Sequence, residues 1–133
     1  MDNNFFGQGK TFKEYESSDF EEVYRNITLS DEDGEFFSSF KVHILVISEK
    51  WCGDCRREVP LLAYIADRAQ WDLRIFSRDE NPDLMEKFLT DGKEIIPVFV
   101  FYDEGFTEIG RFIEKAPPGI STLDVVREIL STY

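Results

Sequence analysis

The sequence contains few of the residues that build metal sites. Its 133 residues include two cysteines and one histidine. A structural zinc site needs four ligands, and His43 is the one nitrogen ligand that the chain could add to the two thiols. Completing such a site with carboxylates is uncommon. We therefore expect a protein that uses no metal.

Long apolar segments and positive charge are also scarce. No apolar run approaches the roughly 20 residues that a membrane-spanning helix needs, and Met1–Gly7 does not resemble the start of a secretory signal. Acidic residues outnumber basic ones by 27 to 15, which gives a net charge of −12. Such a surface repels nucleic-acid phosphates and anionic lipids. We therefore expect a cytoplasmic protein with no nucleic-acid or membrane partner.

The length and composition fit one globular domain. A chain of 133 residues that is 42% hydrophobic can bury a core without disulfides or metal. We expect a single domain over 1–133, with a helical N-terminal part at 1–41 and an α/β core at 42–132. Phenylalanines such as Phe20, Phe36 and Phe37 are frequent in the helical part. They are either core residues or a patch that docks a partner.

The core segment alternates strand and helix patterns. A strand, a helix and a second strand in succession predict a right-handed crossover between parallel strands. We expect the strand-borne His43 to be a hydrogen-bonded structural histidine. The predicted elements are a strand at Val42–Ser48, a helix at Cys52–Gln70 containing Pro60, a strand at Trp71–Ser77, a helix from Pro82 to about Asp91, strands at Ile95–Tyr102 and Phe106–Ile113 joined by a turn, and a last helix capped by Ser121.

The two cysteines lie where the first strand gives way to the long helix. Cys52 and Cys55 are separated by Gly53 and Asp54, which add no bulk that would block a docked peptide. Unpaired N–H groups and the dipole at a helix start favour an anion there, which suits a thiolate at Cys52. Cys55 follows about one turn later on the same face. Cys52 is thus the expected nucleophile and Cys55 the expected resolving thiol.

Three other interpretations of the cysteine pair are open. The pair could be half of a zinc site. It could be a structural disulfide, although so short a loop constrains little of the unfolded chain. It could also be an idle remnant in an inherited fold. We prefer dithiol–disulfide chemistry because of the placement of the pair at a strand-to-helix junction.

Four features in register make the chain resemble the thioredoxin superfamily over about residues 42–132. Trp51-Cys52-Gly53-Asp54-Cys55 matches the W-C-G-x-C motif at a strand end. Pro60 matches the proline within the active-site helix, Ile96-Pro97 the cis-proline, and Gly110 the glycine of the last strand. The resemblance implies an α/β, thioredoxin-like fold with a central mixed sheet of four or five strands flanked by helices, here with a helical N-terminus.

The resemblance also implies a function and a substrate groove. It suggests a redox-active thiol–disulfide oxidoreductase of cell redox homeostasis that exchanges a Cys52–Cys55 dithiol with protein or low-molecular-weight disulfides. A reductase or a small thiol would then reduce it again, and the resemblance implies that neither a metal nor an organic cofactor is needed. In the family, the peptide bond before this proline is cis and turns the backbone of the preceding residue towards the cysteines. The matching residues here are Pro97 and Ile96. Trp51, Ile96 and Pro97 would border the groove. The alternative is a non-catalytic module that holds a partner there.

The sequence departs from the family pattern at three places. The first 41 residues indicate helices where thioredoxin itself begins with a strand. Val46 stands where thioredoxins carry a buried aspartate that assists proton transfer at the resolving cysteine. Asp54 stands where the family usually has proline, and its charge is opposed by Arg56, Arg57 and the helix dipole. The last two changes bear directly on the chemistry of the cysteines.

Overall fold

The computed structural model describes residues 1–133 as seven helices and four strands. Helices α3 and α4 pack on α5, which also contacts β1 and β2, while α7 packs on β4. In chain order the elements are α1 (Asn3–Phe6), α2 (Phe12–Tyr15), α3 (Ser18–Arg25), α4 (Asp31–Ser38), β1 (His43–Ser48), α5 (Gly53–Ala69), β2 (Asp72–Ser77), α6 (Pro82–Glu86), β3 (Val98–Tyr102), β4 (Glu108–Ile113) and α7 (Thr122–Ser131).

The sheet is mixed and its strand order is β2-β1-β3-β4. Strand β1 runs parallel to β2 and antiparallel to β3, and β3 pairs antiparallel with β4. The apolar run of β1 is fully buried from Ile44 to Ile47, as expected for a central strand covered on both faces. The predicted four-stranded sheet, with its parallel pair and its hairpin, is confirmed.

A fifth strand does not form because the N-terminal residues cap a helix at the point where they meet the sheet. Lys10 pairs with Ile75 of β2 through two backbone hydrogen bonds of 2.9 and 2.7 Å. The next residue, Thr11, already begins the capping box of α2. Its N–H donates to the Glu14 carboxylate and its hydroxyl accepts from the Glu14 N–H. Because α2 begins at Phe12, the residue that would make the next pair of ladder hydrogen bonds is already helical, and the pairing stops at Lys10.

The N-terminal helices contribute aromatic rings to the core. Phe6, Phe20 and Phe37 are almost completely buried. Phe37 packs edge-on against Trp71, whose indole N–H donates to the carbonyl oxygen of Phe40 at 3.0 Å. The core-packing interpretation is therefore confirmed for Phe20 and Phe37, while Phe36 is partly buried and packs against the core beside Phe37.

Helix α5 is the longest helix and carries Pro60 at a buried position within it. Proline removes one backbone hydrogen bond from the helix, and α5 nevertheless continues to Ala69. None of the helices is both long and apolar enough to cross a membrane.

Several element boundaries differ from the sequence-based ones. The sequence pattern also favours Ser18 as the cap of α3, with Glu21 three residues later, but the cap is Ser17, whose hydroxyl accepts from the Phe20 N–H. Strand β3 begins at Val98 rather than Ile95, directly after Pro97, which has no N–H to give. Strand β4 begins at Glu108 rather than Phe106, because Phe106 adopts a left-handed φ of 63° inside the turn.

Helix α6 is shorter than the sequence pattern indicates. It ends at Glu86, so Phe88 and Leu89, which a helix running to about Asp91 would place on its buried side, lie beyond its end. Residues Thr90 and Lys93 close a turn on each other through two backbone hydrogen bonds of 2.9 Å. That turn takes the backbone groups that a longer helix would have used.

His43 is held by aromatic packing rather than by the hydrogen bonding that we expected. Its Nδ1 is buried without a partner. The ring stacks on Phe106 at a centroid distance of 4.2 Å and meets Phe6 edge-on at 5.5 Å. It lies at the start of β1, whereas the cysteines follow the other end of that strand.

Gly110 marks a close approach between β4 and α7. A Cβ built at this position would lie 2.8 Å from Cγ2 of Ile129. We predict that Gly110→Ala lowers the free energy of unfolding by about 1–3 kcal/mol, the usual cost of overpacking. Urea denaturation measures it. Gly7→Ala is the matched control, because its nearest neighbour would be 3.5 Å away. Equal stability of the two variants would mean that α7 retreats at no cost.

Candidate active site

The cysteine pair is built on the turn between β1 and α5. Cys52 has extended backbone angles, φ −79° and ψ 120°, and is the N-cap of α5. Its Sγ accepts a hydrogen bond from the Cys55 N–H at 3.1 Å. Both cysteines are free thiols. The Cys52 sulfur therefore occupies the position at which a helix start favours negative charge.

Cys55 lies deeper than Cys52. Its residue exposure is 0%, against 9% for Cys52. Burial raises the pKa of the Cys55 thiol to about 12, with a further rise from its hydrogen bond to Cys52. Hydrogen bonding from the Glu49 backbone and from the Ser48 hydroxyl acts in the opposite direction on that pKa. Cys55 is thus a protonated thiol at neutral pH, directly beneath the outer sulfur.

The loop before β3 is brought against the outer cysteine. The Cys52 thiol donates to the carbonyl oxygen of Ile96, with 3.9 Å between sulfur and oxygen. The Ile96–Pro97 peptide bond is cis, and both residues are buried. On the other side, Gly53 is exposed, and a Cβ built there would have no neighbour within 4 Å. The sulfur of Cys52 therefore lies against a backbone carbonyl, and the residue that follows it faces open space.

Trp51 is the most exposed large apolar side chain of the motif, at 66%. The guanidinium of Arg78 lies 5.2 Å from the centre of its ring. Arg78 had no signal in the sequence, because it follows β2 and reaches Trp51 only through the pairing of β1 with β2. The two side chains therefore lie together beside Cys52, the residue that follows Trp51.

The charge of Asp54 is paired within the first turns of α5. Its Oδ1 lies 2.7 Å from Nη2 of Arg57, and Nε of Arg57 lies 2.8 Å from Oε2 of the buried Glu58. These two carboxylates raise the pKa of Arg57. Glu58 also accepts from the Thr122 hydroxyl of α7 at 2.7 Å. Arg57, one of the two opposing arginines noted in the sequence, is the one in contact with Asp54.

Two residues near Cys55 were not identified from the sequence. Ser48, the last residue of β1, and Tyr15, the last residue of α2, share a buried hydrogen bond of 3.0 Å between their hydroxyl oxygens. They are 33 residues apart in the chain. Val46, at the position of the family's buried acid, is fully buried in β1. No local pattern could have paired Tyr15 with Ser48.

A four-stranded mixed sheet with a C-x-x-C pair at a helix start, facing a proline, defines a thioredoxin-fold protein. A family model described as Thioredoxin matches residues 7–127. The chain therefore belongs to the thioredoxin superfamily. The match begins well before residue 42, so it includes most of the helical part that the motif-based resemblance left out. Family and fold together indicate thiol–disulfide redox chemistry.

Solved structures show the same fold at low sequence identity. A protein of unknown function from Pseudomonas aeruginosa superposes with a TM-score of 0.70 and 22% identity over 96% of this chain and 83% of that one. A mutant thioredoxin from Halobacterium salinarum gives 0.52 and 19% over 80% and 87%. A chain from work on thiol resolution in yeast mitochondrial 1-Cys peroxiredoxin gives 0.52 and 17% over 83% and 98%. No curated protein sequence matches the chain.

Buried thiol and phenol groups make the stability sensitive to alkaline pH. Burial is the main cause that raises the pKa of Cys55, Tyr15, Tyr24 and Tyr102, each to about 12. Between the ordinary values and these raised ones, the folded protein binds more protons than the unfolded chain. The free energy of unfolding should therefore fall from about pH 9 upwards.

Urea denaturation under reducing conditions at a series of pH values measures this fall. In Cys55→Ser the fall should be shallower, since one of the four groups is gone. A wild-type stability that stays level up to pH 11 would contradict the assignment.

Proposed function

We propose that the protein is a thiol–disulfide oxidoreductase. The observation that carries the proposal is the Cys52 sulfur at the N-cap of α5, 3.1 Å from the Cys55 N–H, with the Cys55 thiol buried beneath it. A thiolate at this place is both stabilised by the helix start and open to a substrate. The cytoplasm is the proposed compartment.

The exchange has two steps. The Cys52 thiolate attacks a substrate disulfide, so that a Cys52–substrate bond forms, the substrate S–S bond breaks and the first substrate sulfur leaves as a thiolate. Cys55 then loses its proton and attacks Cys52. The Cys52–Cys55 disulfide forms and the second substrate sulfur leaves. The substrate gains two electrons and two protons, and a reductase or a low-molecular-weight thiol returns the protein to the dithiol.

The proposed substrate groove is bordered by Trp51, Ile96 and Pro97. The backbone of Ile96 faces Cys52, so an extended peptide beside the sulfur could pair with it. The open surface above Gly53 leaves room for the rest of the chain. Disulfide-containing proteins or small disulfides are therefore the proposed substrates.

A second function is favoured by the residue at the position of the family's buried acid. The buried acid of thioredoxins is replaced by Val46, so no carboxylate stands at that position to take the Cys55 proton. A module that holds a partner on the exposed Trp51 face without turnover would need none. Turnover separates the two functions. The oxidoreductase reduces many equivalents of a disulfide-bonded protein when dithiothreitol is supplied, and the module does not.

The two thiols should differ strongly in reactivity. In Cys55→Ser, the remaining Cys52 should react readily with iodoacetamide at neutral pH. In Cys52→Ser, the remaining Cys55 should react at least about 100-fold more slowly, because burial disfavours its thiolate and blocks access. Mass spectrometry over time measures both rates. Equal rates would contradict the assignment of Cys52 as the nucleophile.

Trapping experiments test the order of attack. Cys55→Ser should accumulate mixed disulfides through Cys52 with disulfide-bonded substrates, since nothing is left to resolve them. Cys52→Ser should trap no more than the double serine variant. Non-reducing electrophoresis followed by mass spectrometry reports the products. Trapping to the same extent by both single variants would overturn the assigned roles, and a redox titration of the wild type against a dithiol buffer would give the direction of the reaction.

A further inference from the structure

A buried pair of hydroxyl groups lies on the inner side of the cysteine pair. The Tyr15 Oη and the Ser48 Oγ are 3.0 Å apart, and Ser48 has no solvent exposure at all. The Ser48 hydroxyl also acts to lower the pKa of the Cys55 thiol, against the larger effect of burial, and the charges of Cys55 and Cys52 act on Tyr15. Hydroxyls can donate and accept at once, so Ser48, which is bonded to Tyr15 and acts on Cys55, offers a path for a proton between the buried thiol and the tyrosine.

Cys55 needs such a path, because it must lose a proton before it can attack Cys52. Its burial opposes that loss. The nearby carboxylates are otherwise engaged. Glu49 accepts from the Ser77 hydroxyl at 2.7 Å and from the Asp79 N–H at 2.8 Å. Glu58 is paired with Arg57 and with Thr122.

The path leads to solvent at its other end. Tyr15, which is itself only 5% exposed, lines a cavity of about 380 Å³. The Nζ of Lys50, another lining residue, lies 5.3 Å from the centre of the Tyr15 ring. Other lining residues, among them Gln8, Lys10 and Glu80, are exposed, so the cavity is open to water.

We propose that Ser48 and Tyr15 relay the proton of Cys55 to water in this cavity during resolution of the mixed disulfide. The inference rests on the proposed oxidoreductase function. Cys55 gives its proton to the Ser48 oxygen while Ser48 gives its own to Tyr15 and Tyr15 gives its own to water. The Cys55 thiolate then attacks Cys52, and the leaving substrate thiolate takes up a proton from solvent. Each hydroxyl ends the step neutral.

Tyr15 acts in this scheme as a conduit and not as a base. Burial, as the largest cause, raises its pKa to about 12, so it remains neutral throughout the physiological range. The groups that face the path are Cys52 from the start of α5, Glu49 from the end of β1, and Lys50 from the cavity wall. Ser48 and Tyr15 are positioning and relay residues, since neither touches the substrate.

Tyr15→Phe and Ser48→Ala break the path with little change of shape. Tyr24→Phe is the matched control, because it also removes a tyrosine hydroxyl from a hydrogen bond, to Asp67, far along α5 from the cysteines. Dithiobis(nitrobenzoate) separates the two chemical steps in stopped flow. Attack by Cys52 releases the first coloured thiol, and resolution by Cys55 releases the second.

We expect unchanged release of the first thiol and release of the second slowed about 10- to 100-fold at neutral pH in both path variants, a typical loss for assisted proton transfer. The difference in resolution rate between the wild type and the path variants should shrink at alkaline pH, where hydroxide replaces the relay. The solvent deuterium isotope effect on the resolution rate should also differ between them. A merely structural role would slow both steps at every pH. Tyr24→Phe should match the wild type.

Resolution at the wild-type rate and with the wild-type pH profile in Tyr15→Phe and Ser48→Ala would overturn the relay while leaving the proposed function intact. A wild-type protein that releases no first thiol would instead overturn the proposed function and the relay together. Equal slowing of both steps in the path variants would also overturn the relay, because it would indicate a structural defect.

Discussion

The hydrogen bond from the Cys55 N–H to the Cys52 sulfur is the contact on which the site depends. It forms at the start of α5, after the turn that follows β1, and holds the outer sulfur at the helix N-terminus. A side chain that caps a helix normally satisfies a backbone donor that would otherwise be orphaned. Here the same side chain is the proposed nucleophile, so the local stability of the helix and the orientation of the reactive atom have one cause.

The two sulfurs differ in their surroundings because Cys52 lies near the protein surface and Cys55 lies inside the protein. Cys52 faces the Ile96 carbonyl and the open side of Gly53, while Cys55 faces the end of β1 and is sealed from water. Low local polarity keeps the inner thiol protonated. An exchange cycle therefore needs a route by which a proton can leave the interior. Because Val46 replaces the family's buried acid, the proposed route runs through the hydroxyl groups of Ser48 and Tyr15.

The N-terminal helices take the place of a fifth strand and contribute Tyr15 to the buried surroundings of the cysteine pair. Lys10 makes one bridge to the edge of β2 before the capping box at Thr11 turns the chain into α2. That short helix ends at Tyr15, whose hydroxyl reaches Ser48. The helical route is thus what brings a phenol to the inner face of the cysteine pair.

Local patterns in the sequence determined the strand-helix-strand unit, the Ser121 cap of the last helix and the placement of both cysteines at a helix start, because each depends on residues within a turn or two of each other. The motif residues Trp51 to Cys55, Pro60, Ile96-Pro97 and Gly110 were sufficient for the superfamily. Only the tertiary structure brought Ile96 to Cys52, 44 residues away, Arg78 to Trp51 and Tyr15 to Ser48. It also left His43 without the hydrogen bond expected at its Nδ1 and ended α6 early. These contacts depend on how strands pair and helices cross, and that information is spread over the whole chain rather than held in any one segment.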